Sequence, residues 1–139
     1  MDLFSRQIIG WAMDKNMKKQ LVIDALSMAL WRRKPAAGRL HHSDRGSQYA
    51  CHDYQRLLCD WQVVPSMSRK GDCWDNAPME RFFRSLKSER LDYCRFADRK
   101  AAKMEILDYI TFYNANRLHS TLGYRSPMCY EKEQLMNAA

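Results

Sequence analysis

The stretch Leu40-His41-His42-Ser43-Asp44-Arg45-Gly46 decides the fold class of this 139-residue chain. It is typical of a short strand that ends at Asp44, and the Arg-Gly-Ser that follows is typical of a turn. In open α/β sheets, functional side chains collect beyond the carboxyl ends of the strands. Asp44 is therefore the first candidate for a functional residue.

The segments around this strand alternate between extended and helical patterns. Phe4–Met13 is rich in β-forming residues and is predicted to be a strand. Apolar residues recur at helical spacing over 21–30 and 54–61, which predicts two amphipathic helices. Residues 63–67 are extended, and Pro65 favours an edge position there. This order predicts an α/β chain with one mixed sheet flanked by helices.

Capping residues predict where several helices begin. Asp14-Lys15-Asn16 is expected to cap the first helix, Asp98 a later one, and Ser126-Pro127 a short terminal helix. Asp75 or Asn76 is expected to start a helix that runs to Leu91. The predicted buried stripe of that helix contains Met79, Phe82, Phe83 and Leu86.

Glu80 is the second candidate, because it shares one face of that helix with Arg84 and Lys87 at positions i, i+4 and i+7. The alternative is an ordinary solvated face with a weak Glu–Arg pair. The sequence separation of Asp44 and Glu80 does not show which two carboxylates form a site, since Asp53 and Glu89 have the same separation. Asp44 at a strand end and Glu80 beside cations favour the first pair.

The charge balance favours a polyanionic partner, with nucleic acid first. Lys and Arg number 23 against 16 Asp and Glu, which gives a formal charge of +7 and a pI near 9.3. The alternative is a merely basic protein of another kind. The side chains expected to contact phosphates are Arg69, Lys70, Arg81, Arg84 and Lys87. Trp74 either stacks on an unpaired base or folds back onto the core.

Other features of the composition narrow the class of protein. Five cysteines without paired spacing fit a reducing cytoplasm, and neither a signal peptide nor a membrane span is recognisable. The histidines and cysteines lack the spacing of structural zinc sites. Two carboxylates on a basic scaffold instead suit magnesium, which prefers hard oxygen ligands and assists phosphoryl transfer.

The chain also resembles the catalytic half of bacterial insertion-sequence transposases of the OrfB type, which are relatives of retroviral integrases. The segments that carry the resemblance follow the family's order along the sequence. They are Asp2-Leu3-Phe4-Ser5-Arg6-Gln7-Ile8-Ile9-Gly10-Trp11-Ala12-Met13, His42-Ser43-Asp44-Arg45-Gly46-Ser47-Gln48-Tyr49, residues 66–80, and residues 113–127 with Arg117-Leu118-His119-Ser120.

The resemblance implies a ribonuclease-H-like fold and DNA cleavage with strand transfer, as in transposition, integration and recombination. It implies that Asp44 and Glu80 are the second and third members of a catalytic Asp-Asp-Glu triad and bind magnesium, or manganese instead. Lys87 would contact DNA near the cleaved phosphate. Because Asp2 matches a later position than the first catalytic aspartate, we expect a fragment that lacks the first strand of the core.

The resemblance further implies that residues 1–112 are the C-terminal part of the catalytic core. Residues 113–139 would form an irregular segment with a short terminal helix. The expected partners are transposon-end and target DNA, and a second copy or full-length transposase, in the cytoplasm at the nucleoid. Two other functions stay open: an inactive DNA-binding or oligomerising remnant, and a metal-dependent nuclease of the same fold.

Overall fold

A computed structural model describes residues 1–69 and 76–138. Its helices are α1 (Lys19–Arg33), α2 (His52–Asp60), α3 (Ala77–Leu86), α4 (Arg99–Ala115) and α5 (Pro127–Asn137), and its strands are β1 (Leu40–Ser43) and β2 (Val64–Met67). A π-helical turn at Lys87–Leu91 continues α3, and a 3-10 turn spans Ser120–Leu122. Among the described residues, no helix has the length and apolarity needed to cross a membrane.

The chain divides into two compact units. One contains residues 9–77, and the other contains residues 1–8 together with 78–139. Asp44 belongs to the first unit and Glu80 to the second. The sequence-based boundary between residues 112 and 113 falls within α4, and the functional division that it describes stays a prediction.

The unit of residues 9–77 is built around a β-α-β crossover, because β1 and β2 are parallel and α2 connects them. The register pairs Leu40 with Val64 and Ser43 with Met67. The core of this unit comprises the buried side chains of Leu26, Leu30, Tyr54, Leu58 and Val63. The predicted α/β class is confirmed, and the sheet of the described residues has two strands, both parallel.

The strand predicted over Phe4–Met13 is wrong. No regular strand forms there, because a strand needs a partner and the backbone of Arg6 has a φ of 62°, which breaks an extended run. Instead, the side-chain amide of Asn114 forms two hydrogen bonds with the backbone of Ile8. Its Oδ1 accepts from the Ile8 amide at 2.8 Å, and its Nδ2 donates to the Ile8 carbonyl at 3.0 Å.

Four helix caps were predicted, and those at Asp98 and Ser126 are confirmed; Asp75, one of the two residues expected to cap α3, lies outside the described residues. Asp98 Oδ1 accepts from the Ala101 amide at 2.8 Å, and Ser126 Oγ accepts from the Cys129 amide at 3.3 Å with Pro127 in the first turn. The cap predicted over residues 14–16 is wrong, since α1 starts at Lys19. Asp14 instead bonds to the neighbouring amide of Lys15.

The second unit packs aromatic residues of α3 and α4 against each other. Phe82 is 4% exposed, and its ring lies 4.9 Å from that of Tyr113 and 6.3 Å from that of Tyr109. Leu86 and Ile110 are also buried. This core fixes the face of α3 opposite to Phe82, where the candidate site residues lie.

Candidate active site

Asp44 follows β1 directly and has an exposed side chain. Its Oδ1 accepts a hydrogen bond from the Gly46 amide at 2.7 Å, which closes a tight turn. A Cβ at Gly46 would lie 2.9 Å from Asp44 Oδ1 and 2.7 Å from Gln48 Nε2. Glycine at position 46 therefore lets the backbone approach the carboxylate closely and orient it.

A hydrogen-bond network joins the residues at the carboxyl ends of β1 and β2, beside Asp44. The Ser68 amide donates to the Ser43 carbonyl at 3.0 Å, which extends the β1–β2 ladder by one residue. Buried Ser68 Oγ accepts from Asn76 Nδ2 at 3.1 Å, and Arg45 Nε donates to the Ser68 carbonyl at 2.8 Å. Asp44 thus lies at the carboxyl end of β1, as predicted, and hydrogen bonds hold the backbone there in place.

Arg69 and Lys70, two of the predicted DNA contacts, follow β2 in the sequence. Arg69 is exposed and directly follows buried Ser68, at the same carboxyl end of the sheet as Asp44. Lys70 and Trp74 lie outside the described residues. Arg45 was not singled out from the sequence, although its bond to the Ser68 carbonyl places a further cation at this edge.

Glu80 lies in the first turn of α3, where the positive end of the helix dipole stabilises a carboxylate. It lines an open groove in the unit that contains residues 78–139. The other residues that line the groove are Phe83, Arg84, Lys87, Ser88 and Asp92. The structure therefore brings Glu80, Arg84 and Lys87 together, as the spacing indicated.

Two residues of α3 differ from the simplest interpretation of the helix pattern. Arg81 is exposed but is not among the residues that line the groove. Phe83 was predicted to be buried, and this is wrong: 51% of it is exposed. Phe82 occupies the inward position next to it, and successive helix residues differ by about 100° in direction.

Asp53 and Glu89, the other carboxylates with the same separation, both have cationic partners. Asp53 Oδ2 accepts from Lys19 Nζ at 2.5 Å. Glu89 accepts from Arg117 and from the Tyr109 hydroxyl, the latter at 2.8 Å. The Arg117 guanidinium lowers the pKa of Glu89 below its ordinary range. Within residues 1–69 and 76–138, the side chains of Asp44 and Glu80 form no ion pair.

The histidines have structural surroundings. Burial lowers the pKa of His41 to about 4, and its Nε2 lies 2.7 Å from the Tyr54 hydroxyl. His42 Nδ1 lies 3.1 Å from Ser66 Oγ. Burial also lowers the pKa of His119, whose ring packs edge-on against Tyr113 at 4.8 Å. In the part of the chain that the structure describes, no three His, Cys, Asp or Glu side chains cluster as metal ligands.

Comparison with known proteins places these residues in a family. Models of the integrase core domain match residues 1–73 and 61–127. An uncharacterised 31 kDa protein of insertion element IS600 from Shigella sonnei is 45% identical over 99% of this chain and 51% of its own length. The transposase of insertion sequence element IS904 from Lactococcus lactis is 44% identical over 94% of this chain and 52% of its own length.

Transposase InsF of insertion sequence IS3A from Escherichia coli is 45% identical over 96% of this chain and 47% of its own length. The chain thus spans about half the length of the curated relatives it matches. The integrase core has a ribonuclease-H-like fold and depends on divalent metal. The chain therefore belongs to the integrase core domain family, and it is similar to insertion-sequence transposases within it.

Proposed function

We propose that this chain acts in metal-dependent DNA cleavage and strand transfer, the chemistry of DNA transposition. The observation that carries the proposal is the groove on α3, where Glu80 lies beside Arg84 and Lys87. A carboxylate next to two cations suits a metal ion beside a phosphate backbone. Membership of the integrase core family and similarity to transposases support the same chemistry.

We propose Asp44 and Glu80 as the second and third carboxylates of an Asp-Asp-Glu triad. The donor set fits a hard divalent cation, since both side chains are exposed carboxylates without a cationic partner among residues 1–69 and 76–138. When bound, Mg²⁺, or Mn²⁺ instead, would neutralise charge that develops on the phosphate oxygens. The Gly46 amide orients Asp44 for this role.

The cationic side chains would hold and orient the DNA strand. Arg84 and Lys87 flank the same groove as Glu80, so they would contact phosphates next to the reacting one. Arg81, which lies three residues before Arg84 on the same helix, would also contact the DNA backbone, and Arg69 would do so at the carboxyl end of the sheet beside Asp44. Lys70 belongs to this set by sequence alone.

By the resemblance, Asp2 matches a position after the first aspartate of the triad. We therefore propose that full activity needs a third carboxylate, as would be present in a longer chain or in assembly with a full-length transposase. The proposed partners are transposon-end and target DNA and a second transposase copy, at the bacterial nucleoid.

A DNA-binding role without catalysis is the second candidate. The exposed side chains of Arg69, Arg81, Arg84 and Lys87 suffice for phosphate contacts, and the chain spans about half the length of its relatives. A nuclease of the same fold differs from a transposase in its product: a nuclease leaves nicks, whereas a transposase joins a 3′-hydroxyl to a new phosphate.

Nicking of supercoiled plasmid in Mg²⁺ or Mn²⁺ tests the proposal. Nicking by the wild-type chain should be weak, because full activity is proposed to need a third carboxylate. Asp44→Asn and Glu80→Gln should each abolish that nicking, while the matched control Asp53→Asn should keep it, because Asp53 is paired with Lys19. An oligonucleotide with a free 3′-hydroxyl then separates joining from nicking. If the wild-type chain and Asp44→Asn bind DNA with equal salt dependence and neither nicks, the binding role replaces catalysis by this chain.

A further inference from the structure

Phe83 lines the α3 groove, but neither phosphate binding nor metal binding explains why an apolar ring is exposed there. It is 51% exposed and lines the groove with Glu80, Arg84 and Lys87. In sequence it lies three residues after Glu80 and four before Lys87, so one helical turn, about 5.4 Å, separates it from each. A large apolar ring thus lies among the charged groups proposed to bind a nucleic-acid backbone.

The Phe83 ring is supported from beneath. Its centroid lies 5.4 Å from that of Phe82 with the planes at 65°, an edge-to-face contact. Phe82 is itself buried and packs edge-on against Tyr113 at 4.9 Å. Phe83 is therefore an exposed ring anchored on a fixed aromatic cluster, which limits the entropy that a ligand would have to remove.

An aromatic face beside cations is the chemistry that proteins use for unpaired nucleotides. Every base has a π-face that stacks on such a ring, while Arg and Lys bind the adjoining phosphates. In an intact duplex the bases are stacked on one another, so the ring could not reach a base face. Arg84 and Lys87 supply the complementary charge in the same groove.

We propose that Phe83 stacks on an unpaired base adjacent to the phosphate bound by Arg84 and Lys87. The groove would accordingly bind a frayed or single-stranded DNA end in preference to continuous duplex. This inference rests on the proposed function and specifies the form of DNA that the groove binds.

Fluorescence anisotropy with labelled oligonucleotides of one sequence, single-stranded and duplex, tests the proposal at fixed salt. Stacking contributes enough that Phe83→Ala should weaken single-strand binding by roughly 5- to 150-fold, with duplex affinity changed less than about twofold. Phe83→Tyr should keep the single-strand affinity. Phe83→Leu should lose it, because leucine retains apolar volume but not a π-face.

Phe112→Ala is the matched control, since Phe112 is 42% exposed on α4 and does not line the groove. Thermal melting of each variant checks the fold, and the Leu and Tyr variants decide the outcome if Phe83→Ala unfolds. Unchanged single-strand affinity in Phe83→Leu overturns the stacking role. Equal loss on single strand and duplex overturns it as well.

Loss of self-association without loss of DNA affinity would assign Phe83 to a protein contact and also reject the inference. The proposed function fails separately. If the wild type binds neither DNA, both proposals fall. If it binds duplex and Lys87→Ala weakens that binding while Phe83→Leu changes nothing, only the stacking inference falls.

Discussion

Arg117 and Glu89 lie 28 residues apart and form a two-pronged ion pair. Arg117 Nη2 lies 2.6 Å from Glu89 Oε1, and Arg117 Nε lies 3.0 Å from Glu89 Oε2. The Arg117 guanidinium also covers the Tyr113 ring at 5.7 Å. Because Glu89 belongs to the π-helical turn that starts at Lys87, this pair joins the segment after α4 to the end of the helix that carries Glu80.

A double-mutant cycle should reveal coupling in this pair. Glu89→Gln and Arg117→Gln should each lower the free energy of unfolding by about 1–2 kcal/mol, because each leaves a partly buried charge without its partner. The coupling should be about 1 kcal/mol, since both side chains remain partly exposed to solvent. Urea denaturation measures both quantities.

The control for that cycle is the Lys19–Asp53 pair, whose side chains are 58% and 52% exposed. It should show no measurable coupling, because solvent screens the two charges. If the two pairs showed equal coupling energies, the two-pronged geometry of Arg117 and Glu89 would not strengthen their interaction.

Phe82 and Phe83 are adjacent phenylalanines that should respond in opposite ways to truncation. Phe82→Ala should cost about 3–5 kcal/mol of unfolding free energy, because a 4%-exposed ring leaves a cavity against Tyr109 and Tyr113. Phe83→Ala should cost about 1 kcal/mol or less, since half of the ring is already exposed. Chemical denaturation of both variants tests this, and similar losses would refute the placement of α3.

His41 should make stability depend on pH. The folded pKa is about 4 and the ordinary value 6.5, so the unfolded chain binds the extra proton first as pH falls. The contribution of neutral His41 to the free energy of unfolding is therefore complete above pH 6.5. It declines as the pH falls to about 4 and stays constant below that. The loss should amount to about 3 kcal/mol at most.

His41→Gln should flatten that decline when the free energy of unfolding is measured from pH 7 to pH 4. His52→Gln is the control substitution, because the His52 side chain is 86% exposed. A decline that persists in His41→Gln would assign the titration to another group.

Gly46→Ala should perturb Asp44 without unfolding the chain. The new Cβ would meet Asp44 Oδ1 and Gln48 Nε2 below 3.0 Å, and both are side-chain ends that can move. We expect a stability change under about 1 kcal/mol. Broadening of the residue 44–46 amide NMR signals by Mn²⁺ should weaken in the variant, and Gly46→Ala with unaltered broadening would show that the turn does not orient the carboxylate.

The sequence predicted the features that depend on local spacing. Asp98 and Ser126 cap their helices because a cap needs only an amide three residues away. Glu80, Arg84 and Lys87 share a groove because helical periodicity places them on one face. The roles of Asp44, Glu80 and the cationic residues in catalysis and DNA binding stay predictions.

The features that the sequence did not predict depend on distant partners. Residues 4–13 have strand composition, but composition does not specify whether another strand pairs with them. Two adjacent phenylalanines have equal hydrophobicity, so the pattern alone could not tell which faces α4. The partners of Glu89 lie on α4 and after it, beyond any motif that surrounds Glu89 itself.

The bond between Ile8 and Asn114 determines how the molecule can be divided. Residues 1–8 belong to the same unit as 78–139, so that unit is formed by two separate stretches of the chain. Ile8 is buried, with 3% of its surface exposed. A recombinant piece that starts at Pro78 would leave the carboxamide of Asn114 without its peptide group and expose the apolar surface that Ile8 covers. The second unit is therefore not one continuous stretch of sequence, and a version made without residues 9–77 would need residues 1–8 rejoined by a linker or supplied as a separate peptide.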